Sequence, residues 1–129
     1  MKKLFFTLVS VLLFAAATNA QGVLKFNKET HDFGKLSEGP LATYSFEVTN
    51  TGSAPVVITN AQASCGCTTP EWSKEPIMPG AKSLIKVGYN TSGRPGPFTK
   101  TITVVSNAEN GTVILTIKGN VTPKATGGK

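Results

Sequence analysis

Apolar and polar residues alternate with a period of two through most of this chain, and that alternation restricts its fold more than any other feature. Tyr44, Phe46 and Val48 alternate with Ser45, Glu47 and Thr49; Ile85, Val87 and Tyr89 alternate with Lys86 and Gly88. Val113, Leu115 and Ile117 repeat the pattern against Ile114, Thr116 and Lys118. Successive side chains of a strand point to opposite faces, so each stretch turns one apolar face to a core and another to solvent. Turn signals separate the stretches at short intervals: Asn50-Thr51-Gly52, Pro79-Gly80, residues 92–97 and Asn110-Gly111. No segment beyond residue 20 has the 3.6-residue period of an amphipathic helix. The pattern predicts an all-β sandwich or barrel.

Residues 98–106 and 112–121 are expected to pair as the last antiparallel hairpin, with Asn110-Gly111 supplying the positive backbone angles of a tight turn. Residues 23–26 and 30–33 read as one interrupted edge strand and 34–40 as a loop. Residues 44–50 form the first central strand and 55–59 the second, which the chain leaves through residues 60–63.

The chain opens with Met1-Lys2-Lys3, continues with an apolar run over residues 4–17 and reaches the small residues of Thr18-Asn19-Ala20. This is the three-part pattern of a cleavable secretory signal peptide, with an apolar run too short for a span of about 20 residues. Residues 1–20 are therefore read as a leader, 21–121 as one domain and 122–129 as a flexible, Gly-rich tail. The mature chain, starting at Gln21, is expected in the periplasm or outside the cell, without an integral membrane segment. The 13 Lys and Arg residues exceed the 7 Asp and Glu residues, but they are scattered, with no basic run or interleaved aromatic series. A nucleic-acid partner is not expected.

The two cysteines stand one residue apart, in Ser64-Cys65-Gly66-Cys67-Thr68, at the end of a predicted strand. In extended backbone their Cα atoms would be about 6.6 Å apart, too far for the usual Cβ separation of a disulfide, about 3.8 Å. A turn made possible by Gly66 would close the gap under strain. Such a bridge stabilises little, roughly 1.6 kcal/mol for a three-residue loop by chain entropy. Redox exchange, a soft metal or reduced thiols that merely pack are the alternatives. Two thiolates suit Cu(I), with Met78 and His31 as candidate extra ligands. With 2 Cys and 1 His in the whole chain, a four-ligand structural zinc site is not expected.

His31-Asp32-Phe33-Gly34, residues 46–52, Ser64-Cys65-Gly66-Cys67-Thr68, Ile77-Met78-Pro79-Gly80 and Gly119-Asn120-Val121 together resemble the bacterial family named domain of unknown function 1573. The likeness covers about residues 26–121. It implies an immunoglobulin-like antiparallel β-sandwich, related in architecture to major-sperm-protein and pilus-chaperone domains, exported by bacteria often of the Bacteroidetes type. It implies no known activity; no cofactor is expected apart from Cu(I) at the cysteine pair. Antibody-type domains bridge opposed strands with cysteines distant in sequence. Cys65 and Cys67 are too close for that.

Hydrolase constellations are missing: there is one histidine, no Gly-x-Ser-x-Gly turn and no His-Glu-x-x-His helix. Trp72 is read as a cover for the core rim or a binding surface, and Arg94 as a turn former or an anion contact. The reading favoured is a non-enzymatic binding or assembly module of the cell envelope, with an unidentified envelope protein as partner. A thiol site at Cys65 and Cys67, for redox exchange or Cu(I), is the first alternative. A carbohydrate module using Trp72 or Tyr89 is the second.

Overall fold

The computed structural model describes residues 21–124. The leader read at residues 1–20 and positions 125–129 of the tail lie outside the described residues. Among the described residues there are eight strands: β1 Leu24–Phe26, β2 Thr30–Ser37, β3 Leu41–Asn50, β4 Ile58–Ala63, β5 Thr68–Trp72, β6 Lys82–Asn90, β7 Gly96–Ser106 and β8 Thr112–Thr122. They form two four-stranded sheets, ordered β1-β3-β6-β5 and β2-β8-β7-β4. Every pairing is antiparallel except that of β2 with β8. The result is the all-β sandwich expected from the alternation, with the immunoglobulin-like architecture that the family resemblance implies.

The core follows from the period-two pattern. Phe46 and Val48 of β3, and Ile85 and Val87 of β6, bury their side chains in one sheet. Ile102 and Val104 of β7, with Leu115 and Ile117 of β8, do so in the other. Each such side chain stabilises the fold by roughly 1.5–3 kcal/mol relative to exposure. Gly119 leaves room at one end of this layer. A Cβ there would lie 2.9 Å from the Phe98 ring, which occupies the space and stacks on Tyr89 at 3.9 Å.

Several local expectations need correction. Residues 23–26 and 30–33 are not one interrupted strand: β1 pairs with β3 and β2 with β8, so the chain changes sheet across residues 27–29. Alternation says which face of a strand is buried, not which sheet the strand joins. The expected loop over 34–40 is mostly strand, because β2 continues to Ser37 past a bulge between Asp32 and Lys35, where Gly34 takes φ 67°. The strand read at 55–59 is displaced. Val56 makes an isolated bridge to Ile77, and β4 begins at Ile58 and runs to Ala63.

The β7–β8 hairpin forms as expected, but not through positive backbone angles at Asn110-Gly111, neither of which is left-handed. Asn110 instead turns its side chain to β1, accepting from the Leu24 N–H at 3.0 Å and donating to the Leu24 carbonyl at 2.7 Å. At the far end, Thr122 belongs to β8, and the Lys124 N–H donates to Glu38 Oε1 at 3.0 Å. Ordered backbone thus runs past residue 121, where the tail was read to begin.

Candidate functional site

The cysteine turn carries the chain from the edge of one sheet to the edge of the other, from β4 to β5. Its two ends are fixed by the ladders. The Ser64 N–H donates to the Thr101 carbonyl at 2.8 Å, and Ser64 Oγ accepts from the Thr101 N–H at 3.1 Å. On the other side the Cys67 carbonyl accepts from the Asn90 N–H at 2.9 Å. Within the turn the Thr68 N–H donates to the Cys65 carbonyl at 3.3 Å.

Cys65 and Cys67 are joined in a disulfide, with their Cα atoms 5.3 Å apart. This is shorter than extended backbone would give and within the usual range for a bridge. The shortening does not use the freedom of glycine, since Gly66 has an ordinary φ and a Cβ there would meet nothing within 4 Å. Cys67 is buried, Cys65 half-buried and Gly66 exposed. An incoming group therefore reaches Cys65 first. Donors surround the sulfurs: the Cys67 N–H points to Cys65 Sγ at 3.3 Å, and the buried Thr68 hydroxyl lies 3.8 Å from Cys65 Sγ and 3.7 Å from Cys67 Sγ.

The other candidates do not converge on this turn. Met78 is exposed in the turn just before β6, whereas Cys67 meets the last residue of β6. The nine residues of β6 separate them by about 27 Å. His31 pairs with Ile117, and Ile117 with Lys100, so it sits across the whole sheet from Ser64, about 14 Å away by strand spacing. There it stacks on Tyr44 at 3.6 Å and meets the edge of Phe33 at 4.6 Å. Neither is placed as a third ligand for a metal at the sulfurs, which in the bonded form offer no thiolate. Among the described residues no three His, Cys, Asp or Glu side chains group to hold a metal ion.

Trp72 is half-buried against the core, and its indole N–H donates to the Ile58 carbonyl at 3.2 Å, tying the edge of β5 to that of β4. Tyr89 is buried, which corrects its reading as a stacking surface for sugars. Arg94 is exposed, with its guanidinium turned back to the Ser92 carbonyl at 3.3 Å, in the loop where Gly93 has φ 71°. An open depression of about 400 Å³ lies away from the cysteines, on β2, β7 and β8, with Lys35 and Lys118 beside Asp32.

Sequence reasoning missed the residues that organise the loops. Asn50 is fully buried yet fully bonded: its Oδ1 accepts from Val23 and Gly52, and its Nδ2 donates to the carbonyls of Ala54 and Ile77. Gly52 must be small, because a Cβ would come within 2.6 Å of the Val23 nitrogen. Thr91, also buried, donates to the Pro40 carbonyl at 2.7 Å and accepts from the Gly39 N–H at 2.8 Å. The Asn-Thr-Gly signal was visible as a turn. Only the fold shows that its side chain ties four backbone groups from three segments: Val23, the loop of Gly52 and Ala54, and Ile77.

Residues 24–121 match the family described as "Protein of unknown function (DUF1573)". The chain belongs to this family. Solved structures agree on the fold of this DUF1573 chain. A protein of unknown function from Porphyromonas gingivalis W83 is 20% identical at a TM-score of 0.70, over 84% of this chain and 51% of that one. The chain thus spans about half the length of that relative. The ASH/PapD-like domain 7 of human CEP192 matches at 0.66 with 9% identity, over 89% of this chain and 96% of the domain. The secreted serine protease VesC from Vibrio cholerae matches at 0.57 with 15% identity, over 76% of this chain and 23% of the protease. Identities this low establish a shared sandwich, not a shared activity. Among curated proteins no sequence matches. No helix among the described residues is long and apolar enough to cross a membrane.

Proposed function

We propose that this DUF1573 protein is a non-enzymatic binding or assembly module of the bacterial cell envelope, exported by its leader, with the rim around Cys65-Gly66-Cys67 as its working surface. One observation carries the reading: at the tip of the cysteine turn Gly66 is exposed and a Cβ there would meet nothing within 4 Å, so the fold gives this residue no packing task although Cys67 and Thr68 beside it are buried. Asn50 and Gly52 lock the loops, Gly34 forms the β2 bulge, Gly80 turns at φ 80° and Gly119 seats Phe98. The bridge, by contrast, closes a loop with a sequence separation of 2 and adds little stability. Both ends of the turn are already held by the sheets. Loops on a rigid scaffold are where recognition is usually placed.

The test is to isolate the protein under native conditions from the envelope of its own cells, beside a Cys65→Ser/Cys67→Ser variant. The expected result is a mature N-terminus at Gln21 and at least one envelope protein retained by the wild type and lost by the variant. Identical retention by both would remove the turn from the working surface. Recovery with Lys2 and Lys3 still present would remove the export.

A second reading, thiol exchange, is favoured by the donors around the sulfurs. A thiolate of a dithiol reductant would attack the accessible Cys65 Sγ, forming a mixed disulfide and releasing Cys67 as a thiolate beside the Thr68 hydroxyl. The reductant's second thiol would then displace Cys65 Sγ, leaving the reductant oxidised and the pair carrying its two electrons and two protons. Only that reduced form could bind Cu(I) through both sulfurs. Titration of the reduced protein with Cu(I), compared with each single Cys→Ser variant, distinguishes a metal carrier from an exchange site.

A further inference from the structure

The four sheet edges are unequally protected. An edge strand presents unpaired N–H and C=O groups that can template another strand, and proteins blunt it with charges, prolines, bulges or covers. On β1, only three residues long, the Asn110 side chain occupies both the N–H and the carbonyl of Leu24, which leaves Phe26 as the one outward-facing residue without a partner. On β2, a bulge between Asp32 and Lys35 breaks the line, and both residues are exposed and charged. On β5, the bond from Asn90 to the Cys67 carbonyl sets the alternation, so the backbones of Thr68 and Pro70 face away from β6. The Thr68 N–H is already bonded to Cys65, and Pro70 has none to offer.

β4 is different. Its Ile58 carbonyl is taken by Trp72, and a bulge follows between Ile58 and Asn60. Beyond that the strand is regular, uncharged and free of proline through Ala63. Because the Ser64 N–H bonds to Thr101, the same alternation turns Gln62 toward β7, and the N–H and carbonyl groups of Ala61 and Ala63 toward the open edge. Along the gap between β4 and β5 the half-buried side chains that pack on the core are apolar: Ala63 and Cys65 near the turn, and Trp72 at the other end, by Ile58.

We propose that the Ala61–Ala63 edge of β4 is a docking site for an extended peptide segment of a partner protein, which joins the sheet β2-β8-β7-β4 as a fifth strand. The inference rests on the binding-module reading and names its partner class. Two N–H and two carbonyl groups repeating every second residue are complementary to another extended backbone. The segment is uncharged, with an apolar side chain at alternate positions, since every second one faces the gap between β4 and β5. A second copy of this chain fits less well. Its own β4 would bring its Trp72 and cysteine turn against those of the first, whereas a free peptide has neither.

The test selects random peptides displayed on phage against the mature, oxidised protein and measures binding of the synthetic peptides recovered. Binding is expected to slow amide exchange at Ala61 and Ala63 by at least tenfold and to leave Phe26, on the β1 edge of the other sheet, unchanged. Ala63→Pro removes one outward N–H without touching the β7 ladder, and is expected to weaken peptide binding about tenfold, as for a lost hydrogen bond. Gln62→Lys alters only an exposed side chain and should weaken it through an edge charge, which keeps the test valid if the proline variant misfolds. Failure to recover any binding peptide would overturn the proposal. So would equal affinity in both folded variants, or a dimer in light scattering that Ala63→Pro dissolves. Peptides bound elsewhere overturn the edge and leave the module reading standing. Absence of any retained envelope protein, with peptide addition at β4 intact, does the reverse.

Discussion

At the scale of single residues, Gly66 separates the demands of folding from those of recognition. It is exposed, its φ is ordinary, and a methyl group would meet nothing. Replacement by alanine at such a site mainly restricts the unfolded chain, so Gly66→Ala should leave stability unchanged or raise it by up to about 1 kcal/mol, with the bridge intact. Thermal unfolding and thiol counting check this. The companion expectation is that Gly66→Ala weakens retention of the envelope partner, because at this position only an approaching surface has reason to need a missing side chain. Loss of stability in Gly66→Ala would mean that the turn itself depends on the glycine. Gly52 is the internal contrast. There a methyl group collides with backbone, and substitution is expected to be costly whatever binds.

At the scale of elements, the cysteine turn is held by its neighbours rather than by its sulfur bond. Ser64 and Cys67 each complete a ladder, and β4 and β5 are further joined through Trp72. Cys65→Ser/Cys67→Ser should therefore keep a cooperative β fold at a loss of about 2 kcal/mol, the sum of a short loop's entropy and a polar group placed at buried Cys67. That corresponds to a fall of roughly 8–16 °C in thermal midpoint for a domain of this size. Loss of the sharp transition would show the bridge to be structural. That the cysteines follow a strand could be read from the sequence, but not that this strand runs to Ala63 instead of ending at residue 59, because Asn60 and Gln62 lack an apolar-to-polar contrast strong enough to mark it. The rest of the surroundings could not. Which sheet β1 and β2 join, and which edges are left open, depend on pairings between residues distant along the chain. The Asn110 amide reaching Leu24 and the Pro70 nitrogen facing outward carry no local signal. His31 and Met78 looked like possible partners for the cysteines because a sequence gives chemistry without distance, and the strands hold them at the far side and far end of the sandwich.

For the whole molecule, the same packing predicts how stability answers to acid. The His31 ring lies flat on Tyr44, its Nδ1 is buried without a partner, and Lys28 sits 5.9 Å over the Tyr44 ring. Burial, then the charge of Lys28, push its pKa below the ordinary 6.5, against a smaller opposing effect of Asp32. The unfolded chain then takes up the proton more readily than the folded one, so this contribution is complete above pH 6.5 and is lost as pH falls through the folded value. Glu38 acts in the same sense at lower pH. Hydrogen bonds from the backbone N–H groups of Lys124 and Gly93 hold its carboxyl below the ordinary 4.5, outweighing desolvation. Its contribution is present above pH 4.5 and lost below, as the carboxylate joining β2's end to the loop after β6 and the residues after β8 is neutralised. The thermal midpoint should fall from pH 7.5 to 5.5 and again below pH 4.5. His31→Phe, which keeps a flat ring on Tyr44, should flatten the first step alone, and Glu38→Gln the second alone. A wild-type midpoint that rises on acidification through pH 6 would contradict the burial of His31 as its controlling influence.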